Sequence, residues 1–140
     1  MLRGISPLLS PELLAILMEM GHGDEIVLGD ANFPGHTMND TVVRADGLEI
    51  PPLLDAIMTL MPLDSYNEWQ VGLMETVGDD PTPPVWATYD EMIRRHENNY
   101  ETHYFERFAF YERAKEAFAV VVTGETALYG NIILKKGVIA

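Results

Sequence analysis

The residues of this chain best suited to acid–base chemistry lie on either side of one short apolar run. His22 stands on a glycine-flanked turn, the run Ile26–Leu28 follows, and Asp30 comes after a further glycine. An imidazole ordinarily titrates near about pH 6.5, so it can give or take a proton at neutral pH. A carboxylate accepts hydrogen bonds from hydroxyl groups. The pattern fits proton transfer on a hydroxyl-bearing substrate. Taken alone, His22 also fits a histidine that caps a helix, and Asp30 also fits a turn residue.

The elements that must position these two side chains are a helix and a buried strand. Ser10–Pro11–Glu12 is typical of a helix start, with a capping hydroxyl, a proline in the first turn and an acid after it. Gly21 fits the left-handed residue that ends such a helix. The apolar run predicts a strand over Glu25–Leu28. That strand places Asp30 at its carboxyl end, where α/β domains bind ligands.

The rest of the chain alternates between strand and helix patterns, which favours an α/β domain with a layered sheet, all 140 residues forming one domain. Helices are predicted over residues 51–61, 85–98 and 110–118, and strands over 41–44, 69–77, 105–108, 119–123 and 131–134. Residues 78–84 are predicted to form a surface loop, and residues 124–130 a turn that joins the last two strands.

Two further segments carry side chains that could hold a polar ligand. Arg107 lies between phenylalanines, and its cation could donate to hydroxyls or form an ion pair with a carboxylate. Tyr129 and Asn131 flank Gly130. A phenol can stack on a ligand and donate a proton, an amide offers donors and acceptors, and glycine lets the backbone approach a ligand. Without further information, the last three residues also fit an ordinary hairpin turn.

Composition narrows the classes of function. The net charge of −13 argues against nucleic-acid binding, which needs clustered Lys and Arg. The absence of cysteine excludes disulfides and thiolate metal sites, and it suits a cytoplasmic location. No secretion signal is recognised, and no apolar run approaches the ~18 residues of a membrane span. No His or carboxylate cluster with metal spacing and no phosphate-binding loop is present, so neither a metal nor a cofactor is expected.

Three stretches carry a resemblance to a known family. Residues 20–34, MGHGDEIVLGDANFP, resemble the ribose pyranase / L-fucose mutarotase (RbsD/FucU) family, small cofactor-free enzymes that interconvert sugar anomers. Residues 107–114, RFAFYERA, and 129–137, YGNIILKKG, are similar to the fucose branch. Residues 63–103 carry little of the resemblance.

The resemblance implies L-fucose mutarotase activity on a three-layer α/β/α fold with a mixed central sheet. It implies a homo-oligomeric ring, often a decamer, with the active site at a subunit boundary. The catalytic acid/base would be His22, and the substrate-binding residues would be Asp30, Arg107, Tyr129, Gly130 and Asn131.

Some roles stay open even with the resemblance. Tyr129 is a candidate for a second proton-transfer group, and His36 lines either the pocket or a subunit contact. Tyr111 and Arg113 are expected on a helix surface or at an interface. D-ribose pyranase activity is the alternative within the family, and a non-catalytic sugar-binding accessory protein is the alternative outside it. Residues 108–111, FAFY, favour fucose, because apolar side chains could receive the methyl group of a 6-deoxy sugar.

Overall fold

One six-stranded sheet runs through the computed structural model, which describes residues 1–140. Its strand order is β2-β5-β1-β6-β3-β4, and β6 is antiparallel to both of its neighbours whereas all other pairs are parallel. Five strands therefore finish at one end of the sheet, here called the carboxyl end, and start at the other, the amino end. The strands are β1 Glu25–Gly29, β2 Val42–Ala45, β3 Val71–Met74, β4 Thr102–Phe105, β5 Ala119–Thr123 and β6 Ile132–Lys135.

Helices cover both faces of this sheet, which confirms the three-layer α/β/α fold. One apolar cluster packs three of them, α1, α3 and α4, against one face, and a second cluster packs α2 and α5 against the other. None of the five is long and apolar enough to cross a membrane. The helices are α1 Pro11–Glu19, α2 Gly35–Met38, α3 Ile50–Leu60, α4 Pro84–Arg94 and α5 Arg107–Glu116.

The first helix begins as its sequence predicts. The Ser10 hydroxyl accepts a first-turn backbone N–H at 3.1 Å, and proline occupies the start of the helix. At the other end, Lys136 Nζ donates to the carbonyls of Leu17 at 2.6 Å and Met20 at 2.5 Å. A cation at a helix C-terminus also interacts favourably with the helix dipole. Lys136 therefore caps α1, and His22 does not.

The aromatic core of the second face forms around α5. Phe110 is fully buried, and its ring meets the rings of Phe33 and Phe105 edge-on at centroid distances of 6.0 and 6.3 Å. Edge-to-face pairs at such separations are favourable beyond the area that they bury. This packing fixes α5 against the carboxyl half of the sheet.

Several local predictions are wrong in detail. The left-handed glycine is Gly23, with φ of 86°, and not Gly21. The strand predicted over 69–77 is confined to β3, and the one predicted over 105–108 is β4, three residues earlier. Because β4 is an edge strand with half-exposed residues, its polar sequence resembles a loop. Helix α5 begins at Arg107, and α4 ends at Arg94 instead of residue 98. The short helix α2 was not predicted.

The segment predicted as a turn does join β5 and β6, but these two strands do not pair with each other. Both β5 and β6 pair with β1, on opposite sides of it, since Val27 faces Val120 in one pair and Ile133 in the other. The segment between them therefore crosses the carboxyl end of β1 and is not a hairpin turn. This crossing brings the start of β6 beside Asp30.

Candidate functional site

Three of the predicted substrate-binding residues meet at the carboxyl end of the sheet. Asp30 follows β1, while Tyr129 and Asn131 immediately precede β6, and the three share one open depression of about 240 Å³. Its lining consists of Asp30, Asn32, Phe33, Met74, Asp80, Tyr111, Leu128, Tyr129 and Asn131.

Asp30 and Asn131 are held in place by each other and by the turn after β1. The Asp30 N–H donates to Asn131 Oδ1 at 2.7 Å, and the Asn32 N–H donates to Asp30 Oδ1 at 2.9 Å. Asp30 Oδ2 and the amide nitrogen of Asn131 make no hydrogen bond within the chain. One carboxylate acceptor and one two-proton donor are thereby left for a ligand, a set that matches vicinal hydroxyl groups.

The environment of Asp30 changes its acidity. Partial burial raises the pKa of this carboxyl above its usual value, and the negative charge of Glu125 adds to the rise. Hydrogen bonds from the N–H groups of Asn32 and Phe33 oppose that rise without cancelling it. Asp30 is therefore easier to protonate than a free aspartate.

Tyr129 is held in an unusual backbone conformation at the rim of the depression. Its φ is 57°, the only positive value among the non-glycine residues, and this conformation costs roughly 1–2 kcal/mol for a residue with a side chain. Its hydroxyl accepts the Val77 N–H at 3.0 Å and donates to Asp80 Oδ2. The bond to Asp80 raises the pKa of Tyr129, so the phenol keeps its proton.

Helix α4 also holds this segment, through hydrogen bonds to the carbonyls of Tyr129 and Gly130. Trp86 Nε1 donates to the Tyr129 carbonyl at 3.0 Å, and the Tyr89 hydroxyl donates to the Gly130 carbonyl at 2.7 Å. Gly130 does not line the depression. A Cβ at Gly130 would lie 2.9 Å from the carbonyl oxygen of Ala127, so the absence of a side chain permits this close packing.

His22 lies at the opposite, amino end of the sheet and has a different set of neighbours. Its Nε2 is 2.8 Å from Asp64 Oδ1, and its ring meets the Tyr66 ring edge-on at 5.5 Å. Because a carboxylate only accepts, Nε2 must carry a proton, which leaves Nδ1 as the nitrogen free to exchange one. The His22 side chain is 46% exposed and Asp64 is fully buried, so a substrate can reach the imidazole while its partner stays fixed.

Asp64 is organised to remain ionised despite its burial. Burial raises the pKa of Asp64, but hydrogen bonds from His22, the Tyr66 N–H and the Asn67 amide together lower it below its usual value. A buried carboxylate that accepts an imidazole N–H fixes the tautomer and the orientation of the ring. The arrangement prepares His22 Nδ1 to act as a general acid.

The end of β6 positions both partners of this pair. The Gly23 N–H donates to the Lys136 carbonyl at 2.8 Å, next to His22. The Asp64 N–H donates to the Lys135 carbonyl at 3.0 Å. Two loops distant in sequence are therefore brought together by consecutive carbonyls of one strand.

Strand β1 separates His22 from Asp30 within the chain. From Glu25 to Gly29 the strand spans four steps, or about 13 Å at ~3.3 Å per residue, and the flanking residues add to that distance. Proton transfer needs donor and acceptor about 2.6–3.2 Å apart. One chain therefore cannot bring His22 and Asp30 to the same substrate atom.

The remaining predicted residues lie outside the depression. Arg107 is exposed at the start of α5 and forms no ion pair, and its guanidinium lies 4.6 Å from the centre of the Phe108 ring. It therefore does not contact Asp30, although its charge acts on Tyr129. His36 is exposed in α2. Arg113 pairs with the buried Glu25, at 2.6 and 2.5 Å, and is structural.

Sequence reasoning assigned no site role to several residues that the structure places at these sites. Tyr111 was assigned to a surface or interface but forms a wall of the depression with Met74. Its spacing of four from Arg107 puts both on one face of α5 and could have indicated it. Asp64 and Asp80 contact partners 42 and 49 residues away, so no local spacing could have identified them.

A second, more voluminous cavity is not a sugar site by its chemistry. It encloses about 580 Å³ between α1 and the two chain ends, and eight of its eleven lining residues are hydrophobic. Lys136 is its one charged residue, and that ammonium group already caps α1. The smaller, polar depression at Asp30 is the better candidate.

Comparison with known proteins identifies the family to which this chain belongs. The family model described as the RbsD / FucU transport protein family matches residues 3–139. The chain belongs to the RbsD/FucU family. Among its RbsD/FucU relatives is the fucose mutarotase of Homo sapiens, 53% identical over 146 residues, covering 99% of this chain and 95% of the relative. The L-fucose mutarotase of Histophilus somni (strain 2336) is 54% identical, covering 99% and 97%.

Solved structures of RbsD/FucU proteins share the fold. The crystal structure of the fucose mutarotase in complex with L-fucose from Streptococcus pneumoniae matches with a TM-score of 0.96 and 51% identity, covering 99% of this chain and 100% of that one. The Bacillus subtilis RbsD structure complexed with D-ribose matches with a TM-score of 0.74 at 24% identity, with full coverage of both chains. The second likeness concerns the fold alone.

Proposed function

We propose that this protein is an L-fucose mutarotase, which interconverts the α and β anomers of L-fucose by opening and reclosing the sugar ring. The observation that carries the proposal is the near-complete match, in fold and at about half of all positions, to a fucose mutarotase that holds L-fucose. The chemistry of the polar depression is consistent with it. Asp30 and Asn131 offer the acceptor and donors that neighbouring sugar hydroxyls need, and Tyr111 offers an aromatic wall.

The reaction requires two proton transfers and no redox step. As the bond from C1 to the ring oxygen breaks, the ring oxygen must gain a proton and the hydroxyl on C1 must lose one, giving the open-chain aldehyde. Rotation about the C1–C2 bond and reclosure from the other face reverse both transfers. A placed acid or base accelerates such a step by about 10²–10⁴-fold.

His22 is the acid that protonates the ring oxygen. Nε2 is committed to Asp64, so the proton leaves from Nδ1 and returns there when the ring closes. Asp64 keeps a proton on Nε2 and holds the ring in place before and after the transfer. Asp30, Tyr129 and Asn131 hold the sugar, and Arg107 at the rim is the remaining cation that could reach a hydroxyl.

A second copy of the chain completes the active site. His22 and Asp30 lie at opposite ends of β1, so the His22 end of one subunit must face the Asp30 end of the next. Such a head-to-tail contact is heterologous, and repeated copies close into a ring where the rotation between neighbours allows closure. The ring is the assembly implied by the family resemblance, where a decamer is common.

Exposed apolar side chains at both ends of the sheet support this contact. Met18 and Ile139, at the amino end, are 86% and 83% exposed, and Leu128, at the carboxyl end, is 77% exposed. Aromatic groups add to each surface, with Tyr66 beside His22 and Phe108 at the start of α5. Contiguous exposed apolar groups commonly mark protein–protein interfaces.

The test is saturation-transfer NMR on equilibrated L-fucose, irradiating one anomeric proton and following the other. Wild-type protein should accelerate exchange well above buffer, and His22→Ala should abolish the acceleration while L-fucose binding remains measurable. His96→Ala is the matched control, because His96 Nε2 also contacts an aspartate, Asp55 at 2.7 Å, but lies away from the site. That variant should retain wild-type exchange.

The other outcomes separate the alternatives. Acceleration of D-ribose exchange without acceleration of L-fucose exchange would make the protein a pyranase. Saturable binding of L-fucose with no acceleration would make it a sugar-binding protein. Full activity in His22→Ala would keep the reaction and remove His22 as its acid.

A further inference from the structure

The Tyr129 hydroxyl is the most constrained polar group in the depression. It accepts the Val77 N–H at 3.0 Å and donates its proton to Asp80 Oδ2. A phenolic oxygen can accept a second hydrogen bond. With its own proton directed at Asp80, Tyr129 can therefore meet a sugar hydroxyl only as an acceptor of that hydroxyl's proton.

The backbone of Tyr129 gives an independent reason to look for a function here. A tyrosine at positive φ persists only where its surroundings hold it, and such residues cluster at functional sites. Four hydrogen bonds hold this residue and the next, and their partners all follow β3 or lie in α4: Val77, Asp80, Trp86 and Tyr89. These partners fix the phenol at the rim of the depression.

Asp80 can exchange protons with water while it holds the phenol. It is exposed, and it lines the same depression as Asp30 and Asn131. The phenol itself does not ionise readily, because its pKa is raised by the bond to Asp80. A proton that reaches Tyr129 is therefore passed onward only if the tyrosine releases its own proton at the same time.

We propose that Asp80 is a positioning residue that acts through Tyr129, and that the two form a proton relay for the hydroxyl on C1 of the sugar. This inference rests on the proposed mutarotase function. In the opening step the O1–H bond breaks as its proton moves to Tyr129 Oη, and the former Oη–H proton moves to Asp80 Oδ2. The electron pair of the O1–H bond forms the C1=O1 double bond. The C1–O5 bond breaks, its electron pair stays on O5, and O5 takes the proton from His22 Nδ1.

Ring closure reverses each transfer, so the protein returns to its starting state. Asp80 gives its proton back to Tyr129, Tyr129 gives its own to O1, and His22 recovers the proton from O5. Tyr129 remains neutral at both stages. The relay thus provides a base opposite His22 without forming a tyrosinate.

Asp80→Asn is the decisive variant. Its side-chain oxygen can still accept the Tyr129 hydroxyl, so the phenol keeps its position, but an amide cannot take up the proton. We expect the maximal L-fucose exchange rate to fall by about 100-fold, at the lower end of general acid–base effects, with KM within about threefold of wild type. Asp80→Ala should be equally slow, and Tyr129→Phe combined with Asp80→Asn no slower than either single variant.

Asp79→Asn is the matched control, since Asp79 is an adjacent, exposed aspartate with no hydrogen bond to the site. It removes the same charge and should leave the exchange rate within about twofold of wild type. Thermal unfolding and L-fucose titration of every variant confirm that fold and binding are intact.

Each further result has one meaning. Wild-type rates in Asp80→Asn would overturn the relay, and so would a slow Asp80→Ala that is rescued by Asn, because Asp80 would then only hold the ring. In both cases wild-type acceleration and its loss in His22→Ala would leave the proposed function standing. No acceleration by the wild-type protein would overturn the function and the relay together.

Discussion

Two inactive variants should restore each other if every site takes His22 from one chain and Asp30 from the next. His22→Ala removes the acid, and Asp30→Ala removes the carboxylate that grips the sugar. In a mixed ring, a site with His22 from an Asp30→Ala chain and Asp30 from a His22→Ala chain is intact. The prediction follows from the about 13 Å of strand that separates the two residues within one chain.

The size of the recovery follows from random assembly. In an equal mixture each position of a head-to-tail contact is filled by the required chain half of the time, so about one quarter of the sites are intact, whatever the number of subunits. Activity should therefore return to about one quarter of the wild-type rate per chain.

The two variants are unfolded together in guanidinium chloride, refolded by dilution, and measured by saturation transfer on L-fucose. Refolded wild type sets the full rate. A mixture of wild type with the double variant is a second measurement of the same quantity. It should give about one quarter of the wild-type rate for a shared site and about one half for a site within one chain.

One result of the co-refolding experiment would contradict a site shared between subunits. If co-refolded variants stay as inactive as each variant alone, while wild type recovers fully and mixed assemblies are present, then His22 and Asp30 do not serve one site across a subunit boundary. The position of His22 and Asp30 at opposite ends of β1 would then not reflect an active site shared between subunits.

Three other perturbations test separate parts of the structure. Asp64→Asn should lower the maximal L-fucose exchange rate about 100-fold with little change in KM, because His22 loses the carboxylate that fixes its tautomer and orientation. L-fucose affinity should weaken as pH falls from about 7 to 4, because protonation removes the Asp30 acceptor, and the weakening should begin above the ~3.9 of a free aspartate. Phe110→Ala should lower the free energy of unfolding by about 3–5 kcal/mol in urea titrations, against less than about 1 kcal/mol for the exposed Phe108→Ala.

The Asp64→Asn variant and the pH dependence assigned to Asp30 each have a control. Asp55→Asn removes the charge from the His96–Asp55 contact, which joins the same atom types as the pair at the site, and should leave exchange unchanged. An undiminished rate in Asp64→Asn would contradict the role of that carboxylate. An Asp30→Asn variant should bind L-fucose weakly at every pH, and a parallel pH dependence in that variant would assign the titration to another group.

Local sequence signals predicted the part of the fold in which a residue and its neighbours decide the conformation. Ser10 and Pro11 mark the start of α1, and the short apolar run bounded by turns marks β1. The place of Asp30 at the carboxyl end of β1 was predicted for the same reason, since it directly follows that strand, whereas its substrate-binding role was implied by the family resemblance. These features need no knowledge of the rest of the chain.

The pairing of strands was not predictable in this way. The sequences of β5 and β6 are both continuous apolar runs that fit any interior position of a sheet, and nothing local tells that β1 lies between them. The same limit applies to the site. Asp64 reaches His22, and Asp80 reaches Tyr129, only because the folded sheet brings distant loops together.

The central place of β6 has a consequence for how the protein is made. It is the last strand along the chain, every one of its residues is buried, and it alone joins the block β2-β5-β1 to the block β3-β4. A growing chain that lacks β6 therefore carries two unpaired strand edges, which are templates for pairing with other chains. The insertion of β6 closes both edges and sets Asn131 beside Asp30. In the same step, the carbonyls of Lys135 and Lys136 bind the loops that carry Asp64 and His22. The closure of the exposed strand edges and the assembly of the candidate site residues therefore both depend on the pairing of β6.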